Sequence, residues 1–120
     1  MNKIFLLTPF IVVLSFPIVK QEDIKKIVDH SVLMSFWASM YEIDSCFFIK
    51  EKVFKDKFLN IFTLNIDSIN SVKINYININ FKYDGIDTLI DKSNEVYIEI
   101  NYSMFFINKN INLGARIKNG

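Results

Sequence analysis

The sequence predicts an α+β domain, with an N-terminal apolar segment and a helix packed on an antiparallel sheet of three to four strands. An uncharged run from Ile4 to Val19 opens the chain, and a Gly- and Pro-free stretch with helical apolar spacing follows from Gln21 to about Tyr41. Beyond Phe58 the apolar residues recur at every second position, which is the period of a strand. The 120 residues are 51% hydrophobic and 22% charged, which supplies apolar matter for one core, and the length leaves little room for a second. Residues 1–20 read as a signal peptide or membrane anchor, and residues 21–120 as a single α+β domain.

Met1-Asn2-Lys3 followed by sixteen uncharged residues and then Lys20 has the layout of a secretory signal. The run falls short of the roughly 20 residues of a spanning helix, and Pro9 and Pro17 interrupt it further. Val13-Leu14-Ser15-Phe16-Pro17 offers one small residue and no A-x-A cleavage site. The competing expectation is a buried N-terminal helix or strand. Lys3 on one side is balanced by Lys20, Lys25 and Lys26 on the other, so charge sets no orientation.

Glu22 and Asp23 suit the positive end of a helix, and Ile24, Ile27, Val28, Leu33, Met34, Trp37, Ala38 and Tyr41 follow at helical spacing. Ile43-Asp44-Ser45 ends or bends that helix. Phe47 to Phe58 reads as a short second helix or an irregular connection. Phe62, Leu64 and Ile66 then alternate with polar residues as a first strand, and Asp67-Ser68 with Asn70-Ser71 forms a turn. Val72, Ile74 and Tyr76 alternate, the phase slips, and Ile77, Ile79, Phe81 and Tyr83 continue, which predicts a β-bulge. Asp84-Gly85 is a turn dipeptide, and Ile86 to Glu95 a polar connection. Val96 to Phe106 is the clearest strand, with Ile98, Ile100 and Tyr102 facing the core. Asn108-Lys109-Asn110 reads as a turn, Ile111 to Ile117 as an edge strand, and Lys118-Asn119-Gly120 as a frayed tail.

Net charge +1 argues against duplex DNA as a partner. One cysteine and one histidine exclude an intrachain disulfide and a zinc site built from those residue types alone. No phosphate-cradling glycine loop, nucleophile elbow or zinc-protease motif occurs. His30 and Cys46 are the reactive candidates, and Cys46 is expected as a small buried thiol beside Phe47 and Phe48. Asp84, Asp87, Asp91 and Glu95 offer oxygens to Ca²⁺ without EF-hand spacing, so a solvated loop, with Ile86, Leu89 and Ile90 buried, is the expectation. Lys50, Lys52, Lys55 and Lys57, set between phenylalanines, could meet phosphates or an anionic membrane surface, but Glu51 and Asp56 halve their charge. Met34, Phe36, Trp37 and Tyr41 are expected in the core, and Asn101-Tyr102-Ser103 is a chance glycosylation triplet inside a strand. Ile (20), Asn (13), Lys (13) and Phe (12) make up nearly half of the chain, the mark of an AT-rich genome, so lysine and asparagine runs carry little functional weight.

The order of apolar helix and small sheet resembles pilin-like and TadE-like pseudopilin proteins in architecture; the glycine-ended leader and the following glutamate are missing, so no family residue is transferred. That resemblance implies an exported or membrane-anchored, non-enzymatic structural or interaction protein. The alternatives are a small ligand-binding domain, whose helix on a curved sheet resembles the NTF2-like or cystatin-like shape, and a subunit of an organellar membrane complex. The expected location is secreted, periplasmic or membrane-anchored. The expected partners are a protein or a second copy of the chain, plus a membrane through residues 4–19 if these are retained, and no nucleic acid. No catalytic residue, cofactor or metal is expected. Tyr97 and Phe105, on the strand face opposite Ile98 and Met104, are the candidate contact patch.

Overall fold

The computed structural model describes residues 2–7, 10–15, 22–67, 72–87 and 91–118, and from residue 24 onward their side chains. Within the apolar N-terminal segment, β1 (Asn2–Leu7) and β2 (Phe10–Ser15) pair as an antiparallel hairpin. The predicted features at Pro9, Pro17, Ser68–Ser71, Leu89, Ile90 and Asn119-Gly120 lie outside the described residues.

Helix α1 spans Glu22–Ser39 and buries Ile24, Val28, Val32 and Phe36, one residue per turn along a single edge. Ser31, Ser35 and Ser39 are equally buried. Each hydroxyl donates to the carbonyl four residues earlier at 2.5–2.7 Å, so these small side chains enter the interior with their hydrogen bonds made. Met34 and Trp37, expected in the core with Phe36, are exposed, and Tyr41 is half-buried. The helix gives way to a two-stranded sheet, β3 (Met40–Ile43) and β4 (Cys46–Ile49), joined by the turn Asp44-Ser45.

Lys50 N–H donates to the Ser39 carbonyl at 2.8 Å, so helix α2 (Glu51–Ile66) starts beside the end of α1 and runs back along it. The strand expected at Phe62–Ile66 is the last part of this helix. Phe54, Phe58, Phe62 and Ile66 recur every fourth residue and are buried, whereas Leu64, which a strand would place on the same face as Phe62, is 68% exposed. Core formation along four helical turns therefore outweighed the three-residue alternation.

The main sheet is antiparallel throughout. Its strands β5 (Val72–Tyr83), β6 (Ile86–Asp87), β7 (Glu95–Met104) and β8 (Ile107–Lys118) lie in the order β8-β7-β5-β6. β2 pairs with β8 from Ile11↔Lys118 to Ser15↔Gly114 and extends the sheet to six strands, so β8, expected at an edge, is internal. β7 is central, as the sequence predicted. Val96, Ile98, Ile100 and Tyr102 on β7, with Ile111, Leu113, Ala115 and Ile117 on β8, form the buried face. The predicted bulge is present, with the register shifting between Ile74 and Tyr76. Tyr76, expected inward, is turned out and 44% exposed, and Ile77 resumes the inward row. The β7–β8 turn is Phe105-Phe106, and Asn108-Lys109-Asn110 belongs to β8. Among the described residues no helix is long and apolar enough to cross a membrane.

The helical placement of residues 62–66 is checked by a pair of substitutions. Phe62→Ala removes a buried ring and is expected to cost about 3–5 kcal/mol. Leu64→Ala is expected to stay within about 0.5 kcal/mol, as at ordinary surface positions. Comparable losses in chemical denaturation would place both side chains on one buried strand face instead.

Candidate functional site

Among the described residues three two-residue turns join adjacent strands, and in each both central residues have positive φ, the type I′ geometry that matches strand twist. Asp84-Gly85 (φ 48° and 84°) has the residues such a turn favours, and Asp44-Ser45 (50° and 67°) has an aspartate at its first position. The third is Phe105-Phe106, at φ 50° and 67°. A bulky side chain in this region costs of order 1–3 kcal/mol per residue, and such strain concentrates at functional positions. The rings recover little by burial: Phe105 is 71% exposed and Phe106 fully so, with Ile107 beside them at 59%. Four consecutive apolar residues, Met104 to Ile107, thus span the end of a long hairpin, Met104 half-buried against the core and the other three forming its exposed tip.

Below the tip, a polar collar on the outer sheet face holds the hairpin closed. The Asn75 amide, freed by the bulge, donates to Asn101 Oδ1 at 2.7 Å and to Ser103 Oγ at 3.0 Å. Ser103 Oγ donates to Asn108 Oδ1 and the Asn101 amide to Asn110 Oδ1, both at 2.6 Å. From Ile100 to Ala115 the hairpin carries one charge, Lys109, and Lys73 stands opposite Ser103 in the neighbouring strand.

The expected patch of Tyr97 and Phe105 is not a single surface. Phe105 is at the turn, whereas Tyr97 lies near the other end of β7, where its ring covers Gly114 so closely that a Cβ there would come within 3.3 Å. The Tyr97 hydroxyl donates to Glu95 Oε2 at 2.9 Å, and Lys82 Nζ lies 5.6 Å from the ring centroid.

The acids at residues 84–95 have structural partners. Glu95, buried, accepts the Gly85 N–H on Oε1 at 2.8 Å and so steadies the β5–β6 turn. Asn94 Oδ1 accepts the Asp84 N–H at 3.1 Å. Asp91 Oδ1 accepts the Glu51 N–H at 2.8 Å while Glu51 Oε2 accepts the Asp91 N–H at 3.1 Å, a reciprocal cap of α2 supplied from 40 residues away. The Ser93 hydroxyl donates to the same Glu51 oxygen, and Tyr41 donates to the Asp91 carbonyl. Asp87 and Ile86 are exposed, the latter against expectation. Among the described residues no three His, Cys, Asp or Glu side chains converge as a metal site would require.

Cys46, expected as a buried thiol, is exposed beside the Asp44-Ser45 turn, because its pairing with Ile43 at the hairpin end takes it off the core face. His30 is exposed on α1, about 14 Å of helix before Ser39. Lys50 Nζ lies 5.6 Å from the Tyr41 centroid, and Lys52 pairs with Asp56 at 3.1 Å on the surface. An open groove of about 430 Å³ lies between α2 and β5, lined by Glu51, Lys52, Lys55, Ile79, Asn80 and Phe81.

Three tyrosines are held above the ordinary value of 10.0: Tyr97 by its bond to Glu95, Tyr102 by burial, and Tyr41 by burial and then by the charges of Asp91 and Glu51. The unfolded chain therefore loses these protons first, so the stability these three groups contribute is present below pH 10 and is lost as pH rises from there through the raised values. Denaturation midpoints between pH 8 and 11.5 should decline in that window, and Tyr97→Phe should make the decline shallower. The turn carries an opposite expectation. Phe105→Asn with Phe106→Gly relieves the backbone cost and should raise stability by about 1–3 kcal/mol, whereas a fall in the thermal midpoint would show that the rings contribute to the fold. No protein-family model, no curated protein and no solved structure matches this chain.

Proposed function

We propose that the protein is an exported or membrane-anchored, non-enzymatic interaction protein that engages its partner through the tip of the β7–β8 hairpin. One observation carries the reading: two phenylalanines occupy the left-handed positions of a type I′ turn, where they strain the backbone and stand in solvent. A cost kept without benefit to the fold is most simply balanced by a contact outside it. The non-enzymatic part is supported by the use of the Glu51, Asp91 and Glu95 carboxylates as helix and turn caps, by the bond the Asp84 carboxylate accepts from the Asn94 amide, and by the separate placement of His30 and Cys46. The ligand-binding alternative has less support, because Phe36, Phe54, Phe58, Phe62 and Tyr102 occupy the interior that such a pocket would need.

Export or anchoring rests on Met1-Asn2-Lys3 and the uncharged run that follows. The same residues pair with β8, so a membrane address and a place in the sheet compete for them. Intact mass of the native protein and fractionation of its cells distinguish the fates. Loss of about 20 residues, or recovery with membranes, agrees with the address; a full-length chain in the cytosolic fraction overturns it.

In the full chain, Phe105→Asn with Phe106→Gly should abolish the biological phenotype of the gene while the circular dichroism of the folded protein is retained. Cys46→Ser and His30→Gln, made separately, should leave it intact, since no thiolate attack or proton transfer would be lost. A phenotype indifferent to the tip, or lost with Cys46→Ser in folded protein, overturns the proposal.

A further inference from the structure

Resting on the tip as the contact surface, we infer that the partner is a lipid bilayer, into whose interfacial layer Phe105 and Phe106 insert while Lys73 and Lys109 face anionic headgroups. The tip is convex and flexible in what it asks of a partner. A protein receptor must supply a pocket shaped to two adjacent rings, whereas the boundary of headgroups and acyl chains accepts any apolar protrusion about 5–10 Å deep. The residues around the tip are ordered as that boundary is. Phe105, Phe106 and Ile107 stand outermost, Met104 is half-buried against the core behind them, and Ser103, Asn108, Asn75, Asn101 and Asn110 form an uncharged collar at headgroup depth.

Charge follows the same order. No carboxylate occurs in the hairpin between Glu99 and Arg116, while Lys109 lies opposite Tyr102 and Lys73 opposite Ser103, two or three residues from the turn. The topology brings a further apolar group to this end. Val72, the first residue of β5, pairs with Met104, and five residues separate it from the end of α2, whose last turn exposes Leu64. Asp67 at the end of α2 offsets part of the lysine charge. Insertion of the rings therefore carries the binding, and the lysines add a modest preference for anionic lipid.

The test uses the full chain, with Trp37→Phe as background and Phe106→Trp as a reporter at the tip, mixed with vesicles of phosphatidylcholine containing one quarter phosphatidylglycerol. The reporter's emission should shift to the blue and be quenched when the vesicle acyl chains are brominated. Cosedimentation of the otherwise unaltered chain should weaken at least about tenfold on Phe105→Asn with Phe106→Gly, since burying two rings is worth more than one decade. Replacing the phosphatidylglycerol by phosphatidylcholine should weaken it by about fivefold per engaged lysine at most. A reporter that is neither shifted nor quenched at saturating lipid overturns the inference, whether or not residues 4–19 carry the chain to the vesicle. So does cosedimentation unchanged by the double substitution together with an unquenched reporter. If the phenotype still depends on Phe105 and Phe106 in that case, the tip remains the contact surface and its partner is a protein.

Discussion

The phenylalanine spine of α2 is the constraint from which the rest of the molecule follows. Phe54, Phe58 and Phe62 are buried one turn apart, each ring nearly parallel to the next, with centroids 6.3 and 5.5 Å apart. Phe54 also meets Phe36 of α1 edge-on at 5.1 Å and Phe81 of β5 at 5.7 Å. One side chain thereby joins both helices to the sheet. Aromatic pairs in these geometries add about 0.5–1.5 kcal/mol each beyond area burial, and the spine fixes the rotation of α2 about its own axis. Once that rotation is set, Glu51 is placed to exchange hydrogen bonds with Asp91, and the loop before β7 is tied to the start of the helix.

The bulge at Asn75 serves both faces of the sheet. On the inner face it lets Ile74 and Ile77 both turn toward the helices although they are an odd number of positions apart, with two residues between them, so β5 keeps its packing along its whole length. On the outer face it adds an amide beside Asn101, Ser103 and Asn108. Exposed hydrogen bonds of this kind contribute little individually. Together with the ten paired positions of β7 and β8, they keep the hairpin closed beneath a turn whose own backbone energy opposes closure.

Legibility in the sequence followed how far one period dominated. Val96 to Tyr102 alternates without interruption between a buried and an open face, and its placement was readable. Asp84-Gly85 was readable because its residue types are those the turn requires. At Phe62-Thr63-Leu64-Asn65-Ile66 two periods coexist, and the period of four from Phe54 through Ile66 decides the structure. The Phe105-Phe106 turn was hidden because turn chemistry pointed to Asn108-Lys109-Asn110. A signal was nonetheless present: Met104 to Ile107 breaks the alternation with four apolar residues, and a two-residue turn at its centre pairs Ile100 with Ile111 and Ile98 with Leu113. The exposure of Cys46 depended on β3 and β4, a short hairpin whose turn residues had read as the end of a helix.

Codon supply tests the weight placed on the tip. An AT-rich genome enriches Phe, which occurs 12 times, and a chance Phe-Phe pair is correspondingly cheap to encode. The same bias enriches Asn, which occurs 13 times and is a residue favoured in left-handed turn positions. Mutation supply therefore offers the stabilising residue as readily as the straining one, and the fold gains little from the rings because they are largely exposed. With supply and stability both unable to account for phenylalanine at two adjacent left-handed positions, the remaining physical benefit is the one available only on contact, the removal of two aromatic faces from water.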